Sequence, residues 1–163
     1  MSHARVDMWQ MGHAFAWEKE GWFAPLSVLL EGLSAAQAAW QPPGGGNSIW
    51  QTLAHLNYYN ERYLLRMKGE PVGPALENND ATFAPGNPDD EAAWAATVAK
   101  TREVADGYSK LLADMTDDDL DKPFGQGTVA GVLPALITHM IYHTGQIALI
   151  RKMQQSWPAR RDG

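Results

Sequence analysis

Residues 138–147 read THMIYHTGQI and set His139 and His143 four positions apart in an otherwise apolar stretch. On a helix that spacing puts both imidazoles on one face, one turn apart. Two nitrogens so placed can reach a single divalent ion. An open metal site commonly has three protein ligands, with metal–nitrogen distances of about 2.0 to 2.1 Å. The chain has no cysteine, and only three further histidines, His3, His13 and His55, remain. His3 is near the chain start and His13 lies in the first helix; solvent-facing or loosely packed positions are expected for both. His55 follows two turns of a second helix, at the edge of the apolar face of Ile49, Leu53, Leu56 and Leu64, where it can point into a groove. The bland alternative is an incidental pair, with His55 half-buried and bonded to a backbone carbonyl.

Other side chains fall near these positions. Gln146 shares the stripe of His139 and His143 and can hydrogen-bond a water or substrate at the site, or simply support the helix. Around His55 lie Gln51, Tyr58, Tyr59 and Arg62, and Tyr59 and Arg62 can line the same cleft. A cation there would favour an anionic substrate, such as a carboxylate or an acidic thiol cofactor. Paired with Glu61 or Glu103, Arg62 would instead be a surface residue. Neither His139 nor His143 has the neighbouring Glu of an HExxH motif, so a general base of that kind is missing. Walker, GxGxxG and GxSxG motifs are missing too. The seven tryptophans are dispersed and read as packing residues.

Four helical segments must position these groups, and no convincing strand appears. The first runs roughly over 8–33, with a kink or break at Pro25. The second follows Pro42–Gly46, is capped by Asn47 or Ser48, and is closed by Gly69 and Pro71. The third opens at Asn87-Pro88-Asp89-Asp90-Glu91 and continues to about Met115. The fourth spans roughly 131–155, with Pro134 near its start. Capped short turns at 33–37 and 115–119, each followed by proline, suggest two similar helical hairpins joined by the Pro- and Gly-rich segment 70–86. The pattern predicts an all-α four-helix bundle with a long crossover between helices two and three. Helix four is also apolar opposite its histidines, at Ile137, Ile141 and Ala148, which predicts a homodimer packed through it.

SIWQTLAHL opening the second helix, followed after a long interval by HMIYHTGQI on the last, resembles the DinB-like superfamily. That superfamily contains four-helix bundles assigned as metal-dependent hydrolases and bacillithiol- or mycothiol-dependent enzymes. The resemblance covers nearly the whole chain in helix order and length. Its most specific part is one histidine on helix two combined with HxxxH on helix four. It implies a metal triad of His55, His139 and His143 with the remaining positions open to water or substrate. Gln51, Tyr59, Arg62 and Gln146 are the substrate-binding candidates. Thr144 stands where the family often has arginine, but it points away from the histidine stripe. Imidazole ligands suit zinc or nickel, and a low-molecular-weight thiol is the second cofactor the resemblance implies. The implied activity is that of a metal-dependent hydrolase or thiol-cofactor transferase acting on a small molecule. The competing class is a non-catalytic metal-binding or stress-response module.

Bulk properties narrow the field further. With 163 residues the chain is sized for a single domain, 1–163. Nineteen acidic against 13 basic residues give a net charge of −6, which disfavours nucleic acid as a partner; Arg160–Arg161 is too short a basic run to alter this. The lack of cysteine excludes disulfides and thiolate ligands. No segment reads as a signal peptide or membrane span, so a cytoplasmic location and no membrane partner are expected.

Overall fold

A computed structural model describes residues 2–158; the Arg160–Arg161 pair lies outside the described residues. Six α-helices carry the fold: α1 (Ala4–Trp17), α2 (Leu26–Leu30), α3 (Ala35–Ala39), α4 (Ile49–Lys68), α5 (Glu91–Asp114) and α6 (Val129–Met153). The only strands among the described residues are β1 (Pro123–Phe124) and β2 (Gly127–Thr128), an antiparallel hairpin turned at Gly125 with φ of 62°.

Local chemistry sets most helix ends. The Ser34 and Ser48 hydroxyls accept the amide hydrogens of Gln37 and Gln51, whose side chains reach back to the serine amides; these capping boxes open α3 and α4. Gly69 ends α4 in the left-handed region at φ 70°, where a side chain would be strained. Asp90 caps α5 through the Ala93 amide, one turn later than the Asn87 start expected from sequence. The Thr128 hydroxyl caps α6, two residues ahead of the expected start.

The first segment departs most from expectation. The helix expected over 8–33 is two helices, with 18–25 between them non-helical. Of the kink or break expected at Pro25 the structure has the break: Pro25 is the N-cap of α2, and its extended backbone leads directly into the next turn. α1 also begins earlier, at Ala4. Its start is stabilised by Asp117, in the 3-10 turn Asp117–Asp121 that follows α5, whose carboxylate accepts the amide hydrogens of Arg5 and Val6.

The four long helices pack in a ring: α4 touches α5 and α6, and α1 touches the same two. α2 lies against α6, while α3 lies against α4 and α5. Trp17, Leu26, Leu29, Ile49, Leu53, Leu56 and Ile147 form a fully buried core. Ile137, Ile141 and Ala148, read above as a surplus apolar face, are partly buried against this core. The large exposed apolar residues of α6 are instead Tyr142, Leu149 and Met153.

Residues 70–86 run along α4 as a strap. Arg62 donates to the carbonyls of Gly73 and Pro74, the Tyr58 hydroxyl accepts the Leu76 amide, and the Tyr59 hydroxyl donates to Asn79 Oδ1. A single 3-10 turn, Asp80–Thr82, then brings the strap to the groove between α4 and α6. Among the described residues, no helix is long and apolar enough to cross a membrane.

Candidate metal centre

His55 projects from the second turn of α4, and His139 and His143 from the middle of α6, so all three sit on regular backbone. The structure brings their ring nitrogens together. His139 Nε2 lies 3.0 Å from His55 Nε2 and 3.0 Å from His143 Nε2. Among the described residues this is the one group of His, Cys, Asp or Glu placed to hold a metal ion, its ligand atoms all within 4.8 Å of one another.

Hydrogen bonding fixes the tautomers of two of these rings. The Thr82 hydroxyl donates its single proton to the Asn79 carbonyl at 2.6 Å, so toward His55 it can only accept. The Nδ1 of His55, 2.6 Å from that hydroxyl, therefore carries the proton and leaves Nε2 bare. Likewise His143 Nδ1 donates to Gln146 Oε1 at 2.7 Å and leaves its own Nε2 bare. Two lone pairs thus face the same third nitrogen. A proton on His139 can bridge to only one of them at a time, whereas a cation satisfies all three.

Two of the three spacings match a metal centre. Metal–nitrogen bonds of about 2.05 Å put the nitrogens about 3.3 Å apart at tetrahedral angles and about 2.9 Å apart at right angles. The 3.0 Å separations of His139 from His55 and from His143 fall between these values, and all three ligand atoms lie within 4.8 Å of one another.

The electrostatics favour neutral rings. Burial, and then repulsion from His143 and His139, push His55 down to about 4. Burial, then the charge of His143, lowers His139; burial lowers His143 against the opposing pull of Gln146. At neutral pH all three imidazoles are unprotonated bases, the form that coordinates a metal.

Aromatic rings enclose the cluster. Phe83 stacks on His55 at 4.0 Å between centroids and 9° between planes, while Tyr59 meets it edge-on at 5.0 Å. Beyond the histidines opens a cavity of about 530 Å³, walled by Tyr59 and Tyr63 of α4, by Asn79 and Phe83 of the strap, and by one side of α6.

The other candidates divide. Tyr59 lines the cavity. Gln146 touches the site only by holding His143. Gln51 is spent on the Ser48 capping box and on bonds to Gln41 and the Phe83 carbonyl, so it supports the strap from outside the cavity. Arg62 is turned to the strap carbonyls and over the Tyr58 ring. It neither lines the cavity nor pairs with Glu61 or Glu103, both of which Lys100 takes. The expected cation beside the site is therefore not there. His13 is also corrected: it is 4% exposed, its Nδ1 3.4 Å from the Ser109 hydroxyl. His3 is exposed and bonds the Met115 carbonyl. Thr144 points away from the histidines and donates to the Met140 carbonyl.

Sequence reasoning missed Thr82, Phe83 and Asn79. The run NNDATF signals a turn but carries no sign that its threonine would meet a histidine 27 residues earlier.

Fold and site together define an all-helical protein, apart from one minimal hairpin, whose three converging histidines could bind a metal ion. The sequence model of the DinB superfamily matches residues 20–147, most of the chain and all three histidines, and the chain belongs to that superfamily. No curated protein and no solved structure matches the chain significantly.

Proposed function

We propose that this protein is a metal-dependent enzyme of the DinB superfamily, a hydrolase or thiol-cofactor transferase, acting on a small molecule at His55, His139 and His143. The observation that carries this reading is the clustering of three histidine nitrogens on the wall of an open cavity. In the same reading the chain is one domain, a four-helix bundle of α1, α4, α5 and α6 whose strap is the crossover between the second and third long helices. Zinc or nickel is the proposed ion.

A divalent ion held there supplies Lewis acidity, which polarises a carbonyl or lowers the pKa of a water or thiol. The chain's own residues do the rest. Thr82 and Gln146 hold two imidazoles in the coordinating tautomer. Phe83 and Tyr59 cover His55 and keep water from its ring faces. Among the described residues no carboxylate lines the cavity, and the hydroxyls of Tyr59, Tyr63 and Tyr142 are its titratable groups besides the imidazoles.

That same lining, without a carboxylate base, favours a second reading in which the protein is a non-catalytic metal-binding or stress-response module. A cytoplasmic location, no nucleic-acid or membrane partner, and a homodimer formed through α6 at Tyr142, Leu149 and Met153 complete the proposal.

Elemental analysis of untagged protein, before and after mild chelation, is the test. Near-stoichiometric zinc or nickel in the wild type and its loss in His143→Ala are the expected results. Full metal stoichiometry in His143→Ala would overturn the ligand set. Metal-loaded protein inactive toward esters, amides and thiol-transfer substrates would favour the module.

A further inference from the structure

We infer that the cavity before the three histidines selects a substrate with an uncharged, largely apolar body that carries its one polar reacting group at the end meeting the histidines. The inference deepens the metal-site reading above, but it rests on walls that exist whether or not an ion is bound.

The walls have a consistent character. Val132, Ala135 and Leu136 of α6 form one side, and the rings of Tyr59, Tyr63 and Phe83 form the other. Asn79 is the only side-chain amide on the lining, and its Oδ1 already accepts the Tyr59 proton. Among the described residues, no Lys, Arg, Asp or Glu lines the cavity.

The charged residues of α4 beside the cavity are committed elsewhere. Arg62 is held by two strap carbonyls. The Arg66 guanidinium lies over the Tyr63 and Phe124 rings and lines a separate cleft on the other side. Glu61 is paired with Lys100.

A volume of about 530 Å³ lies in the ordinary range for small-molecule pockets. Inside it, an anionic group away from the histidines would lose its hydration and gain no partner, which costs more than the apolar contact returns. One anion or polarisable carbonyl can sit at the histidine end, where a cation would meet it. A second anion on the same molecule cannot be matched. A thiol cofactor bearing carboxylates would therefore have to leave them outside the mouth.

An isosteric probe pair tests this. The full-length protein is titrated, chelated and zinc-loaded, with para-isopropylbenzyl alcohol and para-carboxybenzyl alcohol by NMR, and with the matching para-substituted benzohydroxamic acids by calorimetry. The isopropyl alcohol should bind at least tenfold tighter than the carboxy alcohol in chelated protein, and the isopropyl hydroxamic acid at least tenfold tighter than its carboxy partner in loaded protein, where the hydroxamate already occupies the histidine end. Ala135→Arg, which adds a cation to an exposed position on the cavity wall, should narrow or reverse that ratio. Equal or tighter binding of the carboxy probes by the wild type, or no saturable binding of either alcohol, overturns the inference. The metal reading fails separately: hydroxamates that gain nothing from zinc would sink it, while the alcohol preference in chelated protein would still support the apolar-body selection.

Discussion

Replacing Thr82 with valine removes one oxygen and keeps the side-chain shape, so it isolates the bond that fixes His55. In the wild type the His55 Nδ1 proton is held by a hydroxyl at 2.6 Å, with residue 82 only 3% exposed and His55 4%. No bulk water can take over that bond. An unpaired buried donor costs about 1 to 3 kcal/mol, and the ring can relieve it by moving its proton to Nε2, which destroys the lone pair that coordination needs. Loss of such a supporting bond typically weakens metal affinity by about 10- to 100-fold, equivalent to about 1.4 to 2.7 kcal/mol, the same range as the unpaired-donor cost. Competition with a chromophoric chelator at pH 7.5 reads this directly for zinc and nickel. Thr82→Ser should restore most of the affinity, because its hydroxyl can accept from Nδ1 while donating to the Asn79 carbonyl. Gln146→Met should cost only a few-fold, since Gln146 is exposed and water can replace its oxygen. Wild-type affinity in Thr82→Val, or a Thr82→Ser protein as weak as the valine form, would refute the tautomer argument.

Three other perturbations test the frame around the site. Burial pushes His13 down to about 4 against the opposing charge of Asp106, with Tyr108 and Asn60 beside it and only apolar α6 residues facing it. Its folded pKa lies below the unfolded value of about 6.5, so its contribution is complete above pH 6.5 and lost as pH falls to 4. Between pH 7 and 4, urea unfolding should show the wild type losing about 3 kcal/mol more than His13→Leu; parallel losses would contradict this. Arg151→Met should lower stability by about 3 kcal/mol in thermal or urea unfolding, because the buried guanidinium donates to the carbonyls of Leu29, Glu31 and Ser156; a change under 1 kcal/mol would contradict that account. A methyl group at Gly86 would collide with the Trp50 indole, so Gly86→Ala should cost about 1 to 3 kcal/mol and weaken metal binding by displacing the strap that carries Thr82; unchanged chelator competition would separate strap from site.

What was legible in the sequence follows the range of the interactions. The HxxxH spacing of His139 and His143 and the Ser48 cap that sets the register of His55 are local, lying within one or two helical turns, and periodicity carries them. The hairpin at 123–128 was not legible, because two residues per strand is too short for alternation to register. The early start of α1 depends on Asp117, more than a hundred residues away, and the break near Pro25 depends on whether the chain leaves the helix before the proline or bends through it. Arg62 shows the same limit: its helical position fits a cleft residue, but strap carbonyls eleven and twelve residues on claim its guanidinium.

This division of ranges has a functional consequence. The three clustered histidine nitrogens hang on two long regular helices that also bury Leu53, Leu56 and Ile147 in the core, so their separation is tied to global stability. The tautomer of His55 and one wall of the cavity, by contrast, hang on the strap, which bonds to α4 mostly through side chains at its surface. Changes within the strap can therefore retune metal affinity and the shape of the bound molecule while leaving the ligand set intact. Changes in the core of α4 or α6 cannot, because they move the nitrogens and the fold together. On the proposed function, the strap is thus the part of the chain where substrate preference would diverge without loss of the three-histidine cluster.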